Sequence, residues 1–303
     1  MTNNYLSLFS VLATSIVACS GRTINMGGEQ GKQCAIPEGC PDGGRITDAA
    51  AVDSGDAGVA TTGAVTIRLR ASTSKVQHLD NWSGQTPSDQ KIGIRKLTLL
   101  TADASALPYV VFDHKSAAVE AGLNDKDDTL LATFSASELK AATYTQARVA
   151  ISHVRYRVAS SMHAFGIVAS GTFNNFQVLS DGSTIDGQTW NKGHYLFAFD
   201  VNGQTYGTQT GEDGPVPQIA SGAGLTLDSS GPESEYRFPV NLVVPSNLTT
   251  DVAITFEINT HENFRWQDQV VTGNQSGVFD ATPTTYEPVM SFGANSFQIG
   301  AAL

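Results

Sequence analysis

The chain has 303 residues and a formal net charge of −11, with 18 Lys and Arg against 29 Asp and Glu. An acidic balance argues against a phosphate-neutralising surface, so nucleic acid is not an expected partner. All three cysteines lie at or before Cys40, which leaves the rest of the chain without a thiol nucleophile.

Leu6 to Ala18 form an apolar, uncharged run. It falls short of the roughly 20 residues that span a bilayer and suits the apolar region of a secretory signal, which predicts export. The quartet Ile16-Val17-Ala18-Cys19 resembles the bacterial lipobox. That resemblance implies cleavage before Cys19, a diacylglycerol on its thiol and an acyl group on the new amine, a dual anchor stable enough to hold the protein on a membrane. Residues 1–18 are then a lipoprotein signal peptide. Ser20, where an inner-membrane retention signal would carry Asp, implies sorting to the outer membrane or cell surface. The alternative is ordinary secretion with cleavage after Ser20, since Ala18 and Ser20 also fit a small-x-small site.

Residues 19–62 follow as a flexible tether, rich in Gly, Ala, Asp and Thr and without apolar periodicity. Such a composition cannot bury enough apolar surface to offset the entropy of ordering. Within it, Cys34 and Cys40 bracket "CAIPEGC". A disulfide closing this small loop suits an oxidising compartment, whereas a zinc site needs four ligands and finds no further Cys or His nearby.

The globular part, residues 63–303, begins with "VTIRLRA", in which Val65, Ile67 and Leu69 alternate with polar residues as in a half-buried strand. Farther on, "KSAAVEAGL" predicts a short helix over 115–123, and "SASELKAA" another behind a capping box of Ser135 and Glu138. "LNDKDDTL" lacks the spacing of a calcium loop and reads as a solvated turn, and "DGSTIDGQ" as paired turns. In "RVAISHVRYRV" the alternation changes phase at His153, which predicts a bulge.

"YLFAFDVNGQTYG" reads as a hairpin turning at Asn202-Gly203. "YRFPVNLVVP" is a strand whose Pro239 marks an edge or an irregularity, and "DVAITFEINT" is another strand. Residues 159–234 read as an insertion with its own hairpins. Short alternating strands without crossover helices predict an all-β, antiparallel sandwich.

The segments "VTIRLRA", "IGIRKLTLL", "ATYTQARVAI" and "YRFPVNLVVPSNLTTDVAITFEI" resemble a group of bacterial surface lipoproteins that carry an uncharacterised β-sandwich domain. That resemblance implies a prealbumin- or immunoglobulin-like sandwich at the cell surface and brings no activity with it. Ala142 stands where the group has Gly, and the 159–234 stretch is foreign to its compact form.

Candidate chemistry concentrates in "NTHENFRWQD". His261, Glu262 and Asp268 offer a carboxylate–imidazole set for a metal or an exported hydrolase. A metalloprotease helix would need His where Arg265 stands. The plainer reading is a solvated loop anchored by Phe264 and Trp266. No serine elbow is present, since "GNQSG" places its serine one position late. The histidines 78, 114, 153, 163, 194 and 261 are scattered.

Trp82, Trp190 and Trp266, with Tyr195 and Tyr286, are the candidates for a binding surface, because flat rings stack on sugars or partners. The expectation is a non-catalytic, lipid-anchored module without a cofactor. It would bind a glycan, a matrix component or a protein partner. The alternatives are the hydrolase or metal-binding protein and a passive envelope lipoprotein.

Overall fold

Alternating apolar and polar residues turn nearly every segment of the domain into a strand. The computed structural model describes residues 63–164, 166–219, 224–269, 273–281 and 286–302. The signal-like run, the tether and the predicted lipidation and disulfide positions Cys19, Cys34 and Cys40 lie outside the described residues. The strands are β1 (Ala64–Ser72), β2 (Ser83–Gln85), β3 (Ser88–Thr101), β4 (Tyr109–Asp113), β5 (Val119–Gly122), β6 (Asp128–Ser135), β7 (Ala142–Ala164), β8 (Ile167–Val178), β9 (Ser183–Ile185) and β10 (Gln188–Trp190). They continue as β11 (Tyr195–Val201), β12 (Gln204–Gly211), β13 (Thr226–Asp228), β14 (Ser234–Val244), β15 (Val252–Asn259), β16 (Phe264–Trp266), β17 (Phe279–Ala281), β18 (Val289–Ser291) and β19 (Ser296–Ala302).

The expected all-β sandwich is present. A four-stranded sheet in the order β19-β15-β1-β6 packs on a ten-stranded sheet built around β7. Val65, Ile67, Leu69, Ile254, Phe256 and Ile258 of the smaller sheet join Leu97, Leu99, Val149, Tyr236, Phe238 and Leu242 of the larger in one buried core. Most pairings are antiparallel. The exceptions are β1 with β15 and β7 with β17, which run parallel.

The 23-residue β7 is the spine of the large sheet. Its first half lies between β3 and β14, and its second half pairs with β8 and, over Ser160–Met162, with β17. Ala147, Val149 and Ile151 face the main core, and Val154 continues that face after the register slips by one. The slip falls at Ser152-His153, the predicted bulge, and it is what keeps the apolar face inward along such a long strand. Beyond it, Val158 enters a second core with Phe264, Trp266, Phe279 and Phe292. One strand therefore serves two cores.

Turn chemistry matches the sequence. Asn202 (φ 51°) and Gly203 (φ 78°) occupy the left-handed region that a two-residue hairpin loop requires between β11 and β12. The β14–β7 register shifts between Pro239 and Leu242, where the missing N–H cannot join the ladder. Ser135 caps a single 3-10 turn, Ala136–Glu138, with the Glu138 carboxylate accepting from the Ser135 N–H at 3.1 Å.

Two expectations are corrected. Residues 115–123 form no helix: Val119–Gly122 is β5, paired with β3, and Ala121 is buried opposite Ile92. Pairing with an apolar neighbour strand outweighs the weak local preference of Ala and Glu for helix. Residues 159–234 are no separate insertion either, because β8 and β11–β13 extend the main sheet directly. The turns between them supply Gly and Asp, which gives the stretch its loose appearance without interrupting the ladder.

Candidate functional site

The bulge at Ser152-His153 also sets what the outer face of the large sheet presents. Past it, Arg155 stands opposite Phe176 of β8, which stands opposite Leu196 of β11, which stands opposite Thr210 of β12. The Arg155 guanidinium lies over the Phe176 ring, 5.1 Å from its centroid. The β9–β10 hairpin turns at Asp186 (φ 51°) and Gly187 (φ 78°), and Arg155 Nη2 holds Asp186 Oδ2 at 2.6 Å.

The hairpin ends in Trp190, whose ring stacks on His194 at 3.9 Å and 17° while standing edge-on to Phe176 at 6.5 Å. His194 Nδ1 meets Glu212 Oε1 at 2.9 Å. The result is a half-exposed aromatic platform with a cation and exposed carboxylates at its rim. Next to it runs β12, whose side chains from Gln204 to Thr210 are all exposed and uncharged.

The three tryptophans thus have three different fates. Trp190 is the centre of this platform. Trp82 is half-buried, and its carbonyl accepts from Arg265 Nη2 at 2.8 Å. Trp266 is 0% exposed, which corrects its candidacy as a binding ring. It lies on β16, where Phe264, Arg265 and Trp266 are all buried, and its Nε1–H donates to Asp268 Oδ1 at 2.9 Å. Phe176, His194 and Arg155 were not singled out by sequence, because their rows exist only once β7, β8 and β11 pair. The "WNKGH" spacing, with Gly193 at φ 93° folding Trp190 back on His194, was the available signal.

The predicted set His261, Glu262 and Asp268 separates. Asp268 accepts from Ser83 Oγ at 2.6 Å, from Trp266, and from Ser276 and Gly277. Burial works to raise its carboxyl, but these hydrogen bonds hold it below the ordinary range. It is a structural clamp. In its place His78 joins His261 and Glu262: one donor atom from each lies within 4.8 Å of the others, the grouping with metal-like spacing among the described residues.

Two further strings of polar groups lie inside. Ser152 Oγ meets His153 Nδ1 at 2.8 Å, and His153 Nε2 meets Glu120 Oε2 at 3.0 Å, the connectivity of a nucleophile–base–acid triad. Burial lowers the His153 imidazole, while Lys91, His153 and Arg155 hold the Glu120 carboxyl low against its own burial. The neutral ring therefore donates Nε2–H to Glu120 and accepts the Ser152 proton at Nδ1. Ser152 is 1% and His153 3% exposed, and a Cβ on Gly93 would come within 2.1 Å of Ser152 Oγ, so no acyl group can reach the serine. This string pins the bulge.

The second string ties His163 Nε2 to Asp280 Oδ1 at 2.6 Å, while Glu287 accepts from the N–H groups of Asp280 and Gln269 at 2.9 and 2.7 Å. Burial, with the nearby Asp280 and Asp268 charges, raises the Glu287 carboxyl. A cavity of about 30 Å³ lies where the two cores meet, lined by Ile92, Val154, Tyr236, Phe264 and Phe292. It has room for little more than a water molecule. No family model, curated relative or solved structure matches this chain.

Proposed function

We propose that this chain is an exported binding module, fixed to the outer membrane or cell surface by lipid on Cys19 and carried away from the bilayer by the 19–62 tether. Its ligand is a glycan, held on the outer face of the large sheet. The observation that carries this reading is the Trp190–His194 stack over Phe176, flanked by Arg155, Asp186 and Glu212. A flat, partly exposed ring gives the apolar face of a sugar a surface to stack on, and the rim charges, with the neutral Thr and Gln of β12, supply directional hydrogen bonds to hydroxyls. A passive spacer would have no use for such a platform.

Binding of the full chain to immobilised polysaccharides tests this. Trp190→Ala is expected to weaken the best ligand by roughly 30-fold, about 2 kcal/mol for a central aromatic anchor. It should shift the unfolding midpoint little. If no polysaccharide binds, or if Trp190→Ala binds as wild type does, the glycan reading is wrong. A pull-down that recovers only a protein partner, still sensitive to Trp190→Ala, would reassign the ligand.

The anchor has its own test. Cys19→Ser is expected to move the protein from the membrane fraction to the soluble exported fraction, because one lost modification site removes the diacylglycerol and the N-linked acyl chain together. A variant that stays membrane-bound, with mature wild type beginning at Gly21, would overturn the lipid anchor.

A further inference from the structure

The parallel pairing of β1 with β15 places Ser72 opposite Asn259, so the two strands leave the sheet side by side. The loop after β1 carries His78, and the tight turn after β15 carries His261 and Glu262. From this convergence we infer that the His78–His261–Glu262 cluster is a zinc site that ties the 73–82 loop to the 261–262 turn. The inference is independent of the glycan platform, which lies on other strands.

Three observations point to a cation rather than a fortuitous cluster. First, the donor atoms lie within 4.8 Å of one another, and the two imidazoles are near-parallel, 6.1 Å apart and inclined by 14°. Second, His78 Nε2 is buried and has no hydrogen-bond partner, which leaves a lone pair or N–H unused beside the other two donors. Third, the turn is held rigidly in an unfavourable conformation. Glu262 has φ 46°, in the left-handed region, and is held there by its N–H donating to Thr86 Oγ1 at 2.8 Å. The His261 N–H donates to Asn259 Oδ1 at 3.1 Å, and its carbonyl accepts from Asn295. Two ligands are thereby presented before any ion arrives.

Charge favours a divalent ion as well. The nearby Arg265 guanidinium is paired first with Asp80 and reaches Glu262 only at 3.7 Å. With that pair cancelled, the Glu262 carboxylate is the remaining charge beside two imidazoles. Two nitrogens and one carboxylate suit zinc, whereas calcium and magnesium require an oxygen shell. The Val76 N–H donates to His261 Nδ1 at 3.4 Å, the long limit of a hydrogen bond, so ligation at either ring nitrogen sacrifices little. Three protein ligands leave one position for water.

The test is zinc titration of the full chain with Cys19, Cys34 and Cys40 replaced by Ser, which removes thiolates as competing ligands. One zinc per chain should bind and raise the unfolding midpoint. His78→Ala, on an irregular surface loop, should weaken binding at least about 100-fold and abolish the rise in midpoint, with its zinc-free midpoint unchanged. Glu262→Gln, which keeps shape and removes charge, should also weaken binding. No saturable zinc in the Cys-free chain would overturn the site, as would zinc binding that survives His78→Ala undiminished.

Discussion

Alanine at position 266 will lower the free energy of unfolding by about 3–5 kcal/mol, the usual cost of emptying a fully buried aromatic site. Trp266 is 0% exposed and packs on Phe264 at 5.9 Å and Phe279 at 5.8 Å between ring centroids. Its Nε1–H also satisfies one oxygen of the Asp268 clamp. The second core is small, with Val158, Phe264, Phe279 and Phe292 as its other buried members, so it has little material with which to collapse into the gap. A domain is typically stable by about 5–15 kcal/mol, so the loss is a large fraction of the whole. Urea unfolding of the variant should show a lower midpoint with the slope retained. Trp190→Ala, by contrast, should lose ligand and keep most of its stability. A Trp266→Ala loss below about 1 kcal/mol would mean that the second core does not help hold the distal half of β7.

The strands were legible wherever one face is buried and the other wet. "VTIRLRA" and "DVAITFEINT" alternate: Val65, Ile67 and Leu69, and Val252, Ile254, Phe256 and Ile258, are buried, with half-buried or exposed residues between them. Asn202-Gly203 and Pro239 acted locally, through backbone geometry that no distant contact alters. The misreadings share one cause. In 115–123 and 159–234 the deciding interaction is the edge of another strand, β3 for the first and β7 with its successors for the second. A periodicity confined to one segment carries no information about that partner. The parallel pairing of β1 and β15 was invisible for the same reason.

The sites show the same division more sharply. The lipobox-like quartet that ends at Cys19 is a contiguous string, so the proposed anchor rests on no folded partner. Trp190 was readable only as an aromatic ring. Its place above Phe176 depends on a three-strand row and on an ion pair from Arg155 to Asp186 across a hairpin. In "NTHENFRWQD" the string suggested one site, yet alternation sent Asp268 to a clamp beside the second core while the turn kept His261 and Glu262 together. The third member, His78, comes from the loop that follows the neighbouring strand β1.

The buried Arg265 gives the other large effect. It is 3% exposed, pairs with Asp80 and donates to the Trp82 carbonyl at 2.8 Å. Asp80→Ala will therefore destabilise the domain by about 3 kcal/mol, the low end for leaving a buried charge without its partner, because Asp80 itself faces solvent and Trp82 and the more distant Glu262 still face the guanidinium. Arg265→Met placed on top of Asp80→Ala should restore part of that loss, since an apolar side chain of similar length needs no counter-charge.

Protonation should reproduce the single variant. Burial works to raise the Asp80 carboxyl, but the hydrogen bond and charge of Arg265, with the Trp82 backbone, hold it below its ordinary value. A depressed folded-state value means that the contribution is present above the unfolded-state pKa of about 3.9 and is lost as the pH falls through the folded value. Asp113, Glu120, Asp128 and Asp268 are shifted in the same direction. Glu287 is shifted the other way, so its contribution is fullest in acid and is lost as the pH rises through its raised folded value. The depressed carboxyls outnumber it, and wild type should lose stability steeply below about pH 4. Asp80→Ala, already without its carboxylate, should show a shallower acid limb. If the two stability–pH curves run parallel from pH 5 down to pH 2, the Asp80–Arg265 pair is not the electrostatic link between the 73–82 loop and β16.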